Sequence, residues 1–196
     1  MVHPFYDRNI SQPGERCRIH RSIERWQSFS EAPDRLHQAL VGYSFTGAAP
    51  LHSAIGDGDE AYSYLSAFLA TRAGGRLRFP DTQYYEHDGN DATTVETPLT
   101  FASAVCDMLP KSWDGTIRVF PALPSHWKDV RFDNLLADGG VAVSAELSGG
   151  RLVWLGFASR WKRRLRIVSP VLGELAQAPL EFALEPQVPR WLIRDD

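Results

Sequence analysis

Residues 96–124 read ETPLTFASAVCDMLPKSWDGTIRVFPALP, and the pattern changes within this stretch in a way that decides the fold. Its first half predicts a helix with Thr97 as the N-cap and Pro98 at the first helical position, where a missing N–H costs nothing. Its second half begins a series of short alternating runs separated by turns, which indicates β-strands. We therefore expect an α plus β protein with a helical segment, residues 1–113, and a β-domain, residues 114–196.

The expected strands of the β-domain are TIRVFPAL, VAVSAEL, RLVWLGFA and RLRIVS, with DG, DGG, SGG and SRWK turns between them. This pattern predicts an antiparallel sheet that forms one layer of a β-sandwich. The segment LSGGRL carries the strongest hairpin signal, because paired glycines adopt the positive φ angles of tight hairpin turns. Four prolines between Pro170 and Asp196 predict loops with one or two final strands.

Two stretches before residue 96 also have helical patterns. GDGDEAYSYLSAFLATRAGG, residues 56–75, predicts a helix that Asp59 caps and a Gly-Gly pair ends. Asp57 is interpreted as part of the same cap and not as a cation ligand. RLHQALVGYSFTGAAPLHSAI, residues 35–55, is expected to form two short helices. The residues expected to divide it are Gly42, Gly47 and Pro50.

Composition limits the function classes. With 21 Lys and Arg against 24 Asp and Glu, the formal net charge is -3, so we expect no nucleic-acid partner and no membrane partner. No run reaches the about 20 apolar residues that span a bilayer, and no signal peptide is visible. Cys17 and Cys106 match no metal or disulfide spacing, and Cys106 is expected to be buried. The expected protein is soluble and cytoplasmic by default, without a metal or cofactor.

The stretch from Glu96 to Leu155 resembles the passage from barrel to sandwich in the family 95 glycoside hydrolases, which are α-L-fucosidases. There, a helix ending in Met-Leu is followed by a Trp or His, an Asp-Gly turn, a PALP strand, a Trp-containing loop and a strand after Gly-Gly. This sequence has these features in the same order over about a third of its length. The resemblance implies the end of an (α/α) six-hairpin barrel followed by a C-terminal antiparallel β-sandwich.

The resemblance also implies a catalytic residue. In the family, an acidic residue just before the Met-Leu helix activates water as the base of an inverting glycosidase, and Glu96 takes that position here. Thr97 and Pro98 stand where the family has Gly and Asn. The alternative role for Glu96 is a carboxylate that stabilises the helix N-terminus, worth about 0.3–1 kcal/mol.

An inverting glycosidase also needs a general acid about 6.5–9.5 Å from the base. In the family this acid comes from earlier barrel helices, and no matching motif precedes Glu96 here. We therefore expect a fragment of a longer enzyme, or a truncated chain that is not active alone. The expected partners are a carbohydrate substrate and either the missing N-terminal part of the barrel or a second copy of the chain.

Four residues are candidate contacts to the carbohydrate. Tyr85 and His87 lie in TQYYEHDGND, residues 82–91, where an aromatic ring can stack on a sugar, although a solvated turn is the alternative. Tyr43 and Ser44 resemble part of a Gly-aromatic-Ser run of the family, without the Trp that follows it there.

A rival hypothesis is a non-catalytic carbohydrate-binding or structural interaction module. Its support is RWKRRLR, residues 160–166, which joins basic charge to Trp161. The alternation of Arg164 and Arg166 with apolar residues is equally typical of a half-exposed strand.

Overall fold

The computed structural model describes the positions 2, 7–30, 42–73, 84–85, 93–171 and 178–193. Within its helices and strands, only the backbone is described at the positions 29–30, 71–73, 84–85, 93–94 and 193. The described residues form helices and two larger β-sheets, which is an α plus β fold. The chain divides into two compact units, residues 1–105 and 106–196.

The first unit is mainly helical. Its described elements are α1 (Glu15–Ser30), α2 (Gly42–Ile55), α3 (Gly58–Ala73), β1 (Tyr84–Tyr85), β2 (Thr93–Thr94) and most of α4 (Glu96–Met108). α1 buries Ile19 and Ile23, which lie one turn apart on one side of the helix. Among the helices of the described residues, none is long and apolar enough to cross a membrane.

One continuous helix, α2, runs through Gly47 and Pro50, so the prediction that these residues divide the segment is wrong for residues 42–55. Pro50 removes one backbone donor from the helix interior, which is unfavourable in isolation. However, Pro50 is buried next to Ala48 and Ala49 on a helix that packs against α3. Tertiary packing therefore outweighs the local helix-breaking tendency. The part of the predicted pattern before residue 42 lies outside the described residues.

The N-cap of α3 is Asp57 and not Asp59. Oδ1 of Asp57 accepts a hydrogen bond from the backbone N–H of Glu60 at 3.1 Å, which satisfies one of the free donors of the first turn. Asp59 lies inside that first turn, where its charge favours the positive end of the helix. The helix ends at Ala73, and the glycine pair expected to end it lies outside the described residues.

The helix α4 begins one residue before the expected cap Thr97 and ends at Met108. It ends there because a residue before proline is disfavoured in the helical conformation, and Pro110 starts a strand. The prediction that Cys106 is buried is also wrong, because its side chain is exposed. Ala104 and Met108 are fully buried one turn apart, and Cys106, two residues from each, points away from that face.

The second unit consists of two sheets. The strands are β3 (Pro110–Trp113), β4 (Thr116–Val119), β5 (Val130–Ala137), β6 (Val141–Ser148), β7 (Arg151–Ser159), β8 (Arg163–Val168), β9 (Leu180–Leu184) and β10 (Arg190–Ile193). One described sheet has the order β10-β7-β6-β5, and the other has the order β3-β4-β8-β9. All neighbouring strands of these two sheets are antiparallel except β4 and β8, which are parallel. The expectation of purely antiparallel pairing is corrected at that pair.

Tight turns set the register of two hairpins. Gly149 and Gly150 have φ angles of 56° and 76°, and they join β6 to β7 with Ser148 opposite Arg151. The hairpin predicted at LSGGRL is therefore confirmed. Asp114 and Gly115, with φ angles of 51° and 65°, join β3 to β4 in the same way. Positive φ at both turn residues matches the twist of the strands that such turns connect.

The two sheets of the second unit share one apolar core. It includes Val143 and Leu155 from one sheet and Ile167 and Leu184 from the other. The rings of Phe157 and Phe182, one from each sheet, meet edge to face at a centroid distance of 5.6 Å. Burial of these side chains is the main favourable contribution to the stability of this unit.

A bulge in β5 keeps its apolar side chains in this core. Phe132 and Leu135 are three residues apart, and strict alternation would place them on opposite faces of the sheet. At Asn134 the chain adopts a φ of 57°, and its N–H donates to Ser144 Oγ at 2.8 Å. The register shifts at this point, so both apolar residues contact the core.

Replacing Leu155, which is 0% exposed, with Ala is expected to lower the free energy of unfolding by about 2–5 kcal/mol. Val153→Ala on the same strand is the matched control. Val153 is 39% exposed, so its truncation is expected to cost less than about 1 kcal/mol. Urea denaturation followed by circular dichroism measures both changes, and equal losses would contradict the described core.

Candidate functional site

Glu96 is the first residue of α4, and its side chain is exposed. Its Oε2 accepts a hydrogen bond from the backbone N–H of Val95 at 3.2 Å. The next residue, Thr97, is fully buried inside the first turn of α4. A carboxylate in this place is open to water, and it also lies where the helix dipole favours negative charge. The position therefore suits both roles considered for Glu96.

The candidate sugar contacts lie in two places. Tyr43 and Ser44 are adjacent in the first turn of α2, where Tyr43 is 45% exposed and Ser44 is half-buried. The backbone of Tyr85 in β1 pairs with Thr93 of β2, three residues before Glu96. His87 lies outside the described residues. The structure thus brings the Tyr85 backbone close to the start of α4 through the strand ladder.

A polar cleft in the helical unit was not predicted from the sequence. It is an open cleft of about 540 Å³ between α1 and the turn that joins α2 to α3. Its polar lining consists of His20, Glu24, Gln27, His52, Asp57 and Glu60. Three carboxylates and two imidazoles lie on this concave surface, which gives it an acidic character.

His52 is the central side chain of this cleft and is only 4% exposed. Its ring stacks on Tyr64 at a centroid distance of 5.3 Å, and its Nε2 lies 3.3 Å from the side-chain nitrogen of Gln27. With that nitrogen as donor, Nε2 accepts, and the ring proton lies on Nδ1. Nδ1 is 3.7 Å from Oδ2 of Asp57 and has no hydrogen-bond partner among the described residues.

The surroundings of His52 favour its neutral form. Burial lowers its pKa below the ordinary value of 6.5, since desolvation disfavours the charged imidazolium. Asp57 and Glu60 act in the opposite direction by attracting positive charge, and His20 adds a smaller lowering effect. The imidazole is therefore a buried, neutral part of the cleft wall, with Nε2 toward Gln27 and Nδ1 toward the carboxylate of Asp57.

No three His, Cys, Asp or Glu side chains in the described parts of the chain converge in a group that could hold a metal ion. The cleft residues surround an open space and do not meet at a point. One half of the cleft has a recognisable sequence signal, because His20, Glu24 and Gln27 follow helical spacing on α1. The other half depends on the turn between α2 and α3, which sets the His52–Asp57 distance.

Comparison with known proteins does not assign a family. No family model matches the chain, and a search of curated proteins also finds no match.

The stability of the chain is expected to fall as the pH drops below about 6.5, because the unfolded state takes up a proton on His52 that the folded state resists. The stabilising effect of neutral His52 is complete above 6.5 and is lost as the pH falls toward the lowered folded-state pKa. Urea denaturation between about pH 5 and pH 7.5 measures this slope.

In His52→Gln, the contribution of this histidine to the pH dependence of the free energy of unfolding is expected to disappear. The matched control is His126→Gln, which removes an exposed histidine of the other unit and should leave that part in place. An NMR titration of the His52 ring gives the folded-state pKa directly. A pKa at or above 6.5, or an unchanged slope in His52→Gln, would contradict the described burial.

Proposed function

We propose that this chain is the C-terminal part of a glycoside hydrolase that cleaves α-L-fucosides or related α-linked sugars with inversion. The observation that carries the proposal is the order of elements at the passage from helix to sheet. α4 ends at Met108, the turn at Asp114 follows, and the PALP segment begins at Pro121 directly after β4 and Phe120. These elements occur in the order that the family resemblance implies.

Under the same proposal, each of the two units corresponds to a part of the family's architecture. The consecutive, mutually packed helices α2 and α3 are hairpin elements of an (α/α) six-hairpin barrel. The two sheets that share one apolar core are the layers of a β-sandwich. Because the described residues form four helices, we propose that activity requires further barrel helices, supplied by a longer protein that contains this chain or by association with another chain.

In the proposed mechanism, Glu96 is the general base. Its exposed carboxylate removes a proton from water as the water oxygen attacks the anomeric carbon of the sugar. A general acid on another part of the barrel protonates the leaving oxygen from the opposite face. Water enters on the face away from the leaving group, so the configuration at the anomeric carbon is inverted.

The rival function, an interaction module built on the basic segment at residues 160–166, has less support. Arg164 and Arg166 both contact the carboxylate of Glu181, at 3.4 and 4.0 Å. Lys162 pairs with Glu185 at 2.9 Å. Since these cations already have carboxylate partners, the segment presents less free positive charge than its sequence suggests.

The catalytic assignment is tested by Glu96→Gln in the full gene product that contains this chain. Turnover of 4-nitrophenyl α-L-fucoside or α-D-galactoside is expected to fall by about 100-fold to 10,000-fold, because the amide cannot accept the proton of the attacking water. Glu185→Gln, a change of an exposed carboxylate on the sheet unit, is the control and should retain activity.

Proton NMR of the first product formed gives the stereochemistry, and inversion is expected. Turnover that is the same in Glu96→Gln and in the unmodified protein would rule out Glu96 as the base.

A further inference from the structure

The outer face of the sheet β10-β7-β6-β5 carries a compact group of aromatic and charged side chains. Arg131, Glu146 and Trp154 lie opposite one another on β5, β6 and β7. Trp191 on β10 pairs with Gly156 of β7 in the neighbouring row. We refer to these five residues as the tryptophan platform. They lie on the face opposite the apolar core, since the core residues Ala145 and Leu155 alternate with them.

Gly156 determines where the ring of Trp191 lies. A Cβ atom at position 156 would be 2.3 Å from Cζ3 of Trp191, so the indole occupies the space that any side chain there would need. The ring is thereby held against the sheet backbone, yet Trp191 is 55% exposed. The indole therefore packs on the sheet and still presents a large aromatic surface to solvent, and such packing lowers the conformational entropy lost when a ligand binds.

Trp154 is fixed by polar contacts beside this ring. Its Nε1–H donates to Oε2 of Glu146 at 2.9 Å, and the guanidinium of Arg131 lies 5.5 Å from the centre of its ring. The rings of Trp154 and Trp191 meet nearly perpendicular at a centroid distance of 5.4 Å. The two indoles therefore form a shallow corner with charged groups along one side.

The platform and the neighbouring Asp133 together carry one cation and two anions. Arg131 contacts Oδ2 of Asp133 at 3.0 Å and Oε2 of Glu146 at 3.5 Å. One cation beside two anions does not attract a polyanion, which excludes a nucleic acid or a sulfated glycan as the favoured ligand. Paired, exposed charges can still donate and accept hydrogen bonds with hydroxyl groups. These properties fit a ligand that is uncharged, rich in hydroxyls and apolar on one face.

We propose that the tryptophan platform binds a neutral oligosaccharide. One pyranose ring packs its C–H face against the exposed indole of Trp191, and hydroxyls elsewhere on the oligosaccharide exchange hydrogen bonds with Arg131 and Glu146. The sugar site does not depend on Glu96, so it stands even if the catalytic proposal fails.

The test measures binding of 2′-fucosyllactose, lactose and cellotetraose to the 196-residue chain by NMR of the tryptophan indole N–H groups. We expect at least one of these probes to shift the Trp191 and Trp154 signals, with a Kd no weaker than about 1 mM. Trp191→Ala is expected to weaken binding at least about tenfold. Gly156→Ala should weaken it too, because the added methyl displaces the indole.

The matched control is Trp161→Ala, which removes a tryptophan that is 56% exposed outside the platform and should leave binding unchanged. Trp191→Phe, which keeps an aromatic ring, is expected to bind more tightly than Trp191→Ala and guards against a folding defect. Glu96→Gln should bind like the unmodified chain, which separates this site from the catalytic proposal.

Three results would overturn the proposal. The first is no indole shift with any of the three probes at about 10 mM, tenfold above the expected Kd. The second is sugar binding that Trp191→Ala leaves unchanged. The third is a dimer of the unmodified chain in sedimentation that Trp191→Ala converts to a monomer, since the platform would then be an interface between copies.

Discussion

The alternation of side chains along β6 and β7 is the constraint on which the sheet unit depends. Val143, Ala145 and Leu155 face the apolar core, and the burial of the core side chains is the main favourable contribution to the stability of this unit. Their neighbours are then forced to the outer face, where Glu146 and Trp154 meet. The core therefore determines which positions of β6 and β7 are exposed. The residue types at those exposed positions can vary without a change of fold.

The turns and two bulges keep this alternation in register. Besides the bulge in β5, the pairing of β6 with β7 shifts between Glu146 and Leu147, so that Leu152 and Leu155 both lie in the core. A slip of one residue at the turn formed by Gly149 and Gly150 would move every apolar side chain of one strand to the solvent face. The bulge at Asn134 corrects β5, where the apolar spacing of three would otherwise break the pattern. Positive φ angles, which few residue types adopt easily, occur at these turns and at the bulge in β5. These local conformations make possible the contacts between residues that are distant in sequence.

Those local signals explain which parts of the fold can be predicted. The hairpin at LSGGRL and the strand pattern around it depend on neighbouring residues, and both agree with the structure. The parallel pairing of β4 with β8, the continuity of α2 through Pro50 and the exposure of Cys106 depend on packing between distant segments. Propensity rules describe an isolated segment, so they err where packing supplies more free energy than the local preference.

The candidate sites differ in the same way. Glu96 could be placed at a helix start from its own neighbours, to within one residue of the observed beginning of α4. His52 and Asp57 meet only because the turn between two helices brings them together. Trp191 and Gly156 are 35 positions apart, and β10 reaches β7 only as the edge strand of its sheet. Gly156 and Trp191 are neighbours in space but far apart in sequence, so no periodic pattern in the sequence links them. The tryptophan platform can be recognised only once the order of strands in the sheet is known.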